Sequence, residues 1–296
     1  MPRGTLLVPD AGVITDLALL AALWGTGLAV GASTQTGRAA WSVAPRWLLL
    51  ALGLNLLVVP AVAIALVRVA GLSVPVATGV IVFASAAGGA IALATTRVAR
   101  GDERRALLLV VVLELLDLVA IPAWTQLGLS EGVSVPVADV ARTLVLLLLL
   151  PLGIGFAIRR WRPALAPRVI ALGSPVSIAG LVVAVVAVII RTGPYLWDML
   201  GTGLPILSLA LVSGSWLAGH VAGGPRTGDR RALAMVTASR SSALALAIVR
   251  GAYPGQGEVE AAIVVAGLTA IVVPVVIAFV LAATDRRAET SAAEAA

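Results

Sequence analysis

The stretch Thr237-Ala-Ser-Arg-Ser-Ser-Ala-Leu-Ala-Leu-Ala-Ile248 decides the fold, because it has the composition of a membrane helix yet holds an arginine. We predict that helix runs to about Ala238 and resumes near Ala243, with a local break over residues 239–242. A charged side chain at mid-membrane costs several kcal/mol on most estimates. Arg240 must therefore face a cavity, an anionic partner or an anionic ligand.

The composition around this stretch is that of a membrane protein. Of 296 residues, 60% are hydrophobic and only 12% are charged, whereas soluble domains have about 45–50% and about 25%. Apolar runs of about 20 residues recur along the chain, which predicts an all-α polytopic membrane protein in the lipid bilayer. The chain has no cysteine and one histidine, so we expect no metal centre and no cofactor.

We predict about nine transmembrane spans in a single domain over residues 1–284, followed by a disordered cytoplasmic tail over 285–296. The spans are 12–33, 47–69, 74–98, 105–127, 140–158, 172–190, 196–221, 231–250 and 261–283.

The arginines predict the orientation of these spans. Fourteen arginines lie in one set of alternating loops and five in the other, so the first set is expected to be cytoplasmic. This places the N-terminus outside and the C-terminus in the cytoplasm of a multi-pass protein of the plasma or inner membrane. The net charge of +6 is explained by these loops, and we expect no nucleic-acid partner. The first set is Arg38, Arg46, Arg100, Arg104, Arg105, Arg159, Arg160, Arg162, Arg168, Arg226, Arg230, Arg231, Arg286 and Arg287; the second is Arg3, Arg68, Arg142, Arg191 and Arg250.

Two spans are predicted to be broken, the third at Gly88 and Gly89 and the eighth at Arg240. Paired glycines weaken a helix. Interrupted spans in corresponding places of two halves of a chain indicate a transporter site at the membrane midplane. Close helix packing is the other interpretation of the two glycines, and the sequence leaves both open.

Two carboxylates are predicted to lie at the depth of Arg240. At 1.5 Å per residue, Arg240 lies about 15 Å beyond the surface arginine Arg230, and Glu114 and Asp117 lie about 13 and 18 Å beyond Arg105. One interpretation is a fixed buried ion pair between Arg240 and either acid. The other is that Arg240 binds an anionic substrate while one acid carries a proton, since membrane-buried carboxylates are often proton relays.

Asn55 and Pro60 share the second span. We expect Asn55 to bond a carbonyl freed by the proline, with a place in the lining of the same cavity as the alternative.

These residues resemble the bile acid:sodium symporters and their bacterial relatives, within the bile, arsenite and riboflavin-type transporter superfamily. Gly88-Gly89, the loop Ala99-Arg100-Gly101-Asp102 and the proline-bearing helix up to Pro122 are similar to one motif of that family. The segment from Arg240 to Ala247 is similar to its second broken helix.

The resemblance implies two inverted repeats, about 12–128 and 138–284, with a core, a smaller panel and two broken helices that cross. The family has ten helices, and this chain resembles a member without the first.

The resemblance also shows where this chain departs from the sodium-coupled members. At the positions of their Ser-Asn pair, their Ser and Thr, and their Glu and Gln, it has only one polar side chain, which is a cation. These positions are Ala92, Leu93, Ala106, Val110, Val236 and Arg240. We therefore expect that sodium does not drive this protein, and that coupling is to protons or absent.

The sequence as a whole predicts a secondary transporter of a small organic anion that works by alternating access, and not an enzyme. The predicted substrate-binding residues are Arg240, Ser239, Ser241, Asn55, Gly88, Gly89 and Thr95, and the candidates for proton coupling are Glu114 and Asp117. The alternatives are an intramembrane enzyme that uses the two acids, or a sensor or accessory subunit that does not transport.

Overall fold

The computed structural model describes residues 11–34, 44–89, 91–128, 137–252 and 255–294, and in these ranges the chain is helical and contains no strand. The helices are α1 (Ala11–Ser33), α2 (Pro45–Val69), α3 (Val74–Ser85), α4 (Ile91–Val98), α5 (Glu103–Gly128), α6 (137–161), α7 (Ala166–Gly201), α8 (Leu204–Ala222), α9 (Thr227–Ala238), α10 (Ser242–Ala252) and α11 (Gly257–Glu294).

Seven of these helices are long and apolar enough to cross a membrane: α1, α2, α5, α6, α7, α8 and α11. The prediction of an all-α polytopic membrane protein is therefore confirmed. The third and eighth predicted spans each appear as two short helices, α3 with α4 and α9 with α10. The predicted topology residues Arg3 and Arg38 lie outside the described residues.

Helix α1 packs against both α6 and α7 through glycines, and we call these three helices the three-helix bundle. A Cβ on Gly25 of α1 would meet the carbonyl oxygen of Gly173 on α7 at 2.6 Å. One on Gly180 would meet the carbonyl oxygen of Ala18 at 2.7 Å. Small residues let the backbones of membrane helices approach this closely. The remaining helices, α2–α5 and α8–α11, form what we call the core bundle.

The two bundles meet through an apolar surface. Leu19 and Leu23 of α1 and Val188 of α7 belong to one buried hydrophobic cluster with Leu246 of α10 and Ile263 of α11. In contrast to the glycine contacts inside the three-helix bundle, this surface consists of aliphatic side chains, which lack directional bonds.

Inside the core bundle, the end of α4 and the start of α9 are tied together. The Asp102 N–H donates to the carbonyl of Gly228 at 2.9 Å, and Arg105 forms an ion pair with Asp229 at 2.6 Å. The Arg105 guanidinium also lies 5.4 Å from the ring centroid of Trp47, a cation–π distance. The Ala-Arg-Gly-Asp loop of the sequence is therefore part of the joint between α4 and α9.

The predicted disordered tail is wrong for residues 285–294, because α11 continues as helix through Glu294. Arg231 donates to both carboxylate oxygens of Asp285 at 2.6 and 2.8 Å, and Arg100 forms an ion pair with Glu289. Arg231, near the start of α9, and Arg100, in the loop before α5, hold this extension in place.

Candidate functional site

The breaks of the two interrupted spans touch each other. Ala87, between α3 and α4, and Arg240, between α9 and α10, form an isolated antiparallel bridge. The Ser241 N–H donates to the carbonyl of Ala86 at 3.0 Å. The predicted interruptions are confirmed at both places, and the structure adds a backbone contact between them.

The paired glycines allow this contact, and close packing, one of the two interpretations of them, is what the structure shows. Gly88 has φ +74°, a left-handed conformation that other residues rarely adopt. A Cβ on Gly89 would come within 3.2 Å of the carbonyl oxygen of Arg240. Gly88 therefore turns the chain, and Gly89 lets the second break approach.

Two helix N-termini point into this meeting place. α10 begins at Ser242, and the Ser241 hydroxyl accepts a hydrogen bond from the Leu244 N–H at 3.3 Å, as an N-cap does. α4 begins at Ile91, and the Ala92 N–H donates to the Gly89 carbonyl at 2.9 Å. Free N–H groups at helix N-termini favour negative charge.

The Arg240 side chain is buried, with 4% of its surface exposed. Nη1 donates to the backbone carbonyl of Asn55 and Nη2 to its side-chain oxygen, each at 3.3 Å. Nε is buried without a hydrogen-bond partner among the described residues. Two nitrogens of Arg240 therefore contact α2 of the core bundle, and the third nitrogen, Nε, is buried without a partner among the described residues.

Pro60 explains why an Asn55 carbonyl is open to Arg240. A π-helical turn spans Leu54–Val58, and Pro60 follows it with no N–H for the carbonyls of Leu56 and Asn55, four and five residues earlier. The indole N–H of Trp124 bonds the first at 2.6 Å, and Arg240 bonds the second. We expected the Asn55 side chain to bond a carbonyl freed by Pro60. Instead, the freed carbonyl of Asn55 itself accepts a hydrogen bond from Arg240.

The Asn55 side chain joins three elements of the core bundle. Its amide nitrogen donates to the Ala51 carbonyl at 2.9 Å and to the Thr237 hydroxyl at 3.1 Å, and its oxygen accepts from Arg240. Thr237 was not among the predicted site residues. Its place three residues before Arg240 was the available signal, since residues at that spacing share a helix face.

The buried acids differ in how they reach this site. Asp117 accepts a hydrogen bond from the N–H of Ala87 at 3.4 Å, so it lies beside the bridge to Arg240. Glu114, with 2% of its surface exposed, has a carboxylate oxygen with no partner among the described residues. No carboxylate oxygen in the described ranges lies within 4.0 Å of Arg240, so the structure does not form the direct ion pair that was one interpretation.

Two other predicted residues differ in how their hydroxyls are used. The Ser239 hydroxyl is fully buried beside Arg240, with no hydrogen-bond partner in the described part of the chain. The Thr95 hydroxyl donates to carbonyls of its own helix, those of Ile91 and Ala92, at 2.9 and 3.2 Å. The Ser239 hydroxyl thus has no protein partner among the described residues, whereas the Thr95 hydroxyl donates within α4.

Five of the six positions that the resemblance equates with sodium ligands lie together in an apolar cluster. Ala92, Ala106, Val110 and Val236 are fully buried members of it, and Leu93 packs against it. Sodium is a hard cation that needs several oxygen ligands. These five side chains supply none.

Comparison with known protein families identifies a match to this chain. The model of the sodium bile acid symporter family matches residues 17–198, more than half of the 296 residues. The first break and both buried acids lie inside this range, and Arg240 lies beyond it. No curated protein matches the chain.

Proposed function

The chain belongs to the sodium bile acid symporter family, a family of transporters, and we propose that it carries a small organic anion by alternating access without sodium. The observation that carries this proposal is the placement of Arg240. Its guanidinium is buried where the two breaks meet and bonds two oxygens of Asn55. A permanent positive charge thus stands in the region in which sodium-coupled relatives are expected to hold their ion.

Two features argue against sodium in this region. The positions equated with sodium ligands are alanine, valine and leucine in one apolar cluster. The remaining candidate ligand, Asn55, already gives its carbonyl and side-chain oxygen to Arg240. A sodium ion here would have to displace a guanidinium that is itself positively charged, and like charges repel in a buried site.

The same place suits an anion. Arg240 Nε and the Ser239 hydroxyl are buried and unpaired among the described residues, and buried polar groups are normally hydrogen-bonded. The N-termini of α4 and α10 add partial positive charge. A carboxylate or sulfonate would accept from the guanidinium, the hydroxyl and the helix ends together. Because Gly88 and Gly89 have no side chains, the anion could approach the backbone closely at these residues.

A proton is the coupling ion that the site can use. Asp117 bonds the backbone at the first break, and each of Asp117 and Glu114 has a buried oxygen without a partner among the described residues. Asp117 also interacts electrostatically with both Glu114 and Arg240. We infer that Asp117 is the better candidate for proton coupling, because it bonds the first break at Ala87 and interacts with Arg240 at the second.

Replacement of Arg240 tests the proposal. An Arg240→Ala protein should insert and remain folded but lose uptake of the organic anions that stabilise the wild type in a thermal-shift screen, because a ligand stabilises the state it binds. Arg240→Lys should retain part of the uptake, since it keeps the charge without the planar fork of donors. Normal uptake by Arg240→Ala together with lower stability would assign Arg240 a purely structural role.

A further inference from the structure

Four charged side chains from four helices meet at the end of the molecule opposite the arginine-rich loops. They are Asp16 of α1, Arg191 of α7, Arg250 of α10 and Glu260 of α11. Arg250 Nε donates to Asp16 Oδ1 at 2.6 Å, and Arg191 forms an ion pair with Glu260. A third ion pair joins Arg250 Nη1 and Glu260 Oε1 at 3.5 Å. None of these residues takes part in the site around Arg240.

The charges are divided evenly between the two bundles. Asp16 and Arg191 belong to the three-helix bundle, and Arg250 and Glu260 belong to the core bundle. The pairs Asp16–Arg250 and Arg191–Glu260 therefore cross the boundary between bundles. Each bundle contributes one acid and one base, so the four residues add no net charge to either side.

This division lets the crossing pairs separate without leaving a charge alone. Arg250 and Glu260 pair within the core bundle, and Asp16 and Arg191 interact electrostatically within the three-helix bundle. The point matters most for Glu260, which is only 1% exposed. Removing one partner of a buried ion pair is strongly destabilising when the other charge is left unmatched.

The surroundings of the four residues add further contacts between the bundles, but these contacts are weak. Arg250 Nη2 also donates to the carbonyl of Gly12 at 3.0 Å, which adds a polar contact between α10 and α1. The Asp16 side chain is 63% exposed, so its pair with Arg250 is open to water. Behind the network lies the apolar surface between the bundles, where Leu19 and Leu246 share a cluster.

We propose that Asp16, Arg191, Arg250 and Glu260 form an ionic gate that closes this end of the molecule and opens once in each transport cycle. The gate rests on the proposed function in one respect, that the two bundles move relative to each other. Closure comes from the two pairs that cross between bundles. Reversibility comes from the counter-charge that each bundle keeps when those pairs break.

A cysteine reporter tests the gate without any substrate. The chain has no cysteine, so a single introduced thiol has no background. Ala247→Cys places it one helical turn from Arg250 in the apolar cluster behind the network, where Ala247 is 8% exposed. The rate at which a charged maleimide labels this thiol in nanodiscs measures how often the gate opens. Ala106→Cys, fully buried in a different cluster, reports general loosening of the fold.

Three changes to the network have distinct expected effects. Asp16→Asn should raise labelling at position 247 about two- to fivefold, the range for loss of a half-exposed ion pair. Asp16→Arg should raise it further, because the new charge repels both Arg191 and Arg250. Asp16→Arg combined with Arg250→Asp should label more slowly than wild type, because the bundles then carry opposite net charges that attract. Arg68→Gln, an exposed arginine expected at the same side of the membrane, should change nothing.

The outcomes distinguish a gate that opens from a permanent structural contact between the bundles. Equal labelling in wild type, Asp16→Asn and Asp16→Arg would overturn the gate. So would a rise of equal size at positions 247 and 106, or a combined variant that labels as fast as Asp16→Arg. Because maleimide labelling needs no transport, the expected order of rates together with no anion uptake would reject the proposed function and leave the gate standing.

Discussion

At the scale of single residues, the site shows how a buried arginine is held without a carboxylate in contact. Arg240 bonds two oxygens of Asn55, one of which is free because Pro60 has no N–H to offer it. Hydrogen bonds from a charged donor contribute about 1.5–3 kcal/mol each. Asp117 supplies the nearby negative charge through the Ala87 N–H between them. The residues that fix Arg240 are therefore spread over three parts of the chain.

Asp117→Asn separates the charge of this acid from its hydrogen bond. An asparagine oxygen still accepts from the Ala87 N–H, so the break should keep its shape, while the carboxylate that can take up a proton is gone. We expect uptake of an organic anion by Asp117→Asn in proteoliposomes to lose its dependence on an imposed pH gradient.

Glu114→Gln is the matched comparison, because Glu114 is equally buried but does not bond the break. It should keep the pH-gradient dependence. A dependence that survives in Asp117→Asn and disappears in Glu114→Gln would reverse the assignment.

Gly88→Ala tests the backbone at the first break. With φ +74° at this position, a side chain should lower the free energy of unfolding by about 1–2 kcal/mol. Gly214→Ala is the control, because it lies within α8 with no atom within 4 Å of an added Cβ. That change should leave stability unchanged or raise it by up to about 1 kcal/mol. Thermal unfolding of the purified variants in one detergent gives both values, and equal effects would contradict the strained turn.

At the scale of helices, the two broken spans behave as one unit because they are joined at two levels. The breaks meet at Ala87 and Arg240. The end of α4 and the start of α9 are tied by contacts of Asp102 with Gly228 and of Arg105 with Asp229. Each broken span consists of two short helices, and none of these helices is long enough to cross a membrane by itself. The joint between the end of α4 and the start of α9 holds the breaks in register, which places Arg240 against Asn55.

Asp229→Asn should loosen this joint. Arg105 is largely buried and would keep only the weaker pair with Asp102 at 3.6 Å and the Trp47 ring. We expect a loss of about 2 kcal/mol in the free energy of unfolding. Glu103→Gln, which removes the exposed pair with Arg97, should cost less than about 1 kcal/mol. Similar losses in the two variants would show that the joint contributes no more than a surface pair.

The helices and their breaks could be predicted from the sequence, because they depend on local composition. The contacts between distant parts of the chain could not. Apolar runs, paired glycines and the serine-flanked Arg240 gave the spans and both interruptions. The partner of Arg240 was not predictable, because it depends on a carbonyl exposed by a π-turn in a distant helix. The helical residues 285–294 were missed for a similar reason, since Arg231 and Arg100 hold them from elsewhere in the chain.

At the scale of the whole molecule, the chain divides into a three-helix bundle packed on glycines and a core bundle that contains the charged site. An apolar surface joins them, and charged pairs cross between them at one end. Inside the core bundle, by contrast, charged and polar contacts tie helix to helix. This distribution suits two bodies that move past each other while the site around Arg240 keeps its shape.

The most direct test of the central claim is uptake of an organic anion by purified protein in proteoliposomes, with pH clamped and a sodium gradient either imposed or replaced by potassium. Because we propose that Arg240 occupies the region in which sodium-coupled relatives hold their ion, the initial rate should be the same in the two cases. An uptake that requires the sodium gradient would contradict the account.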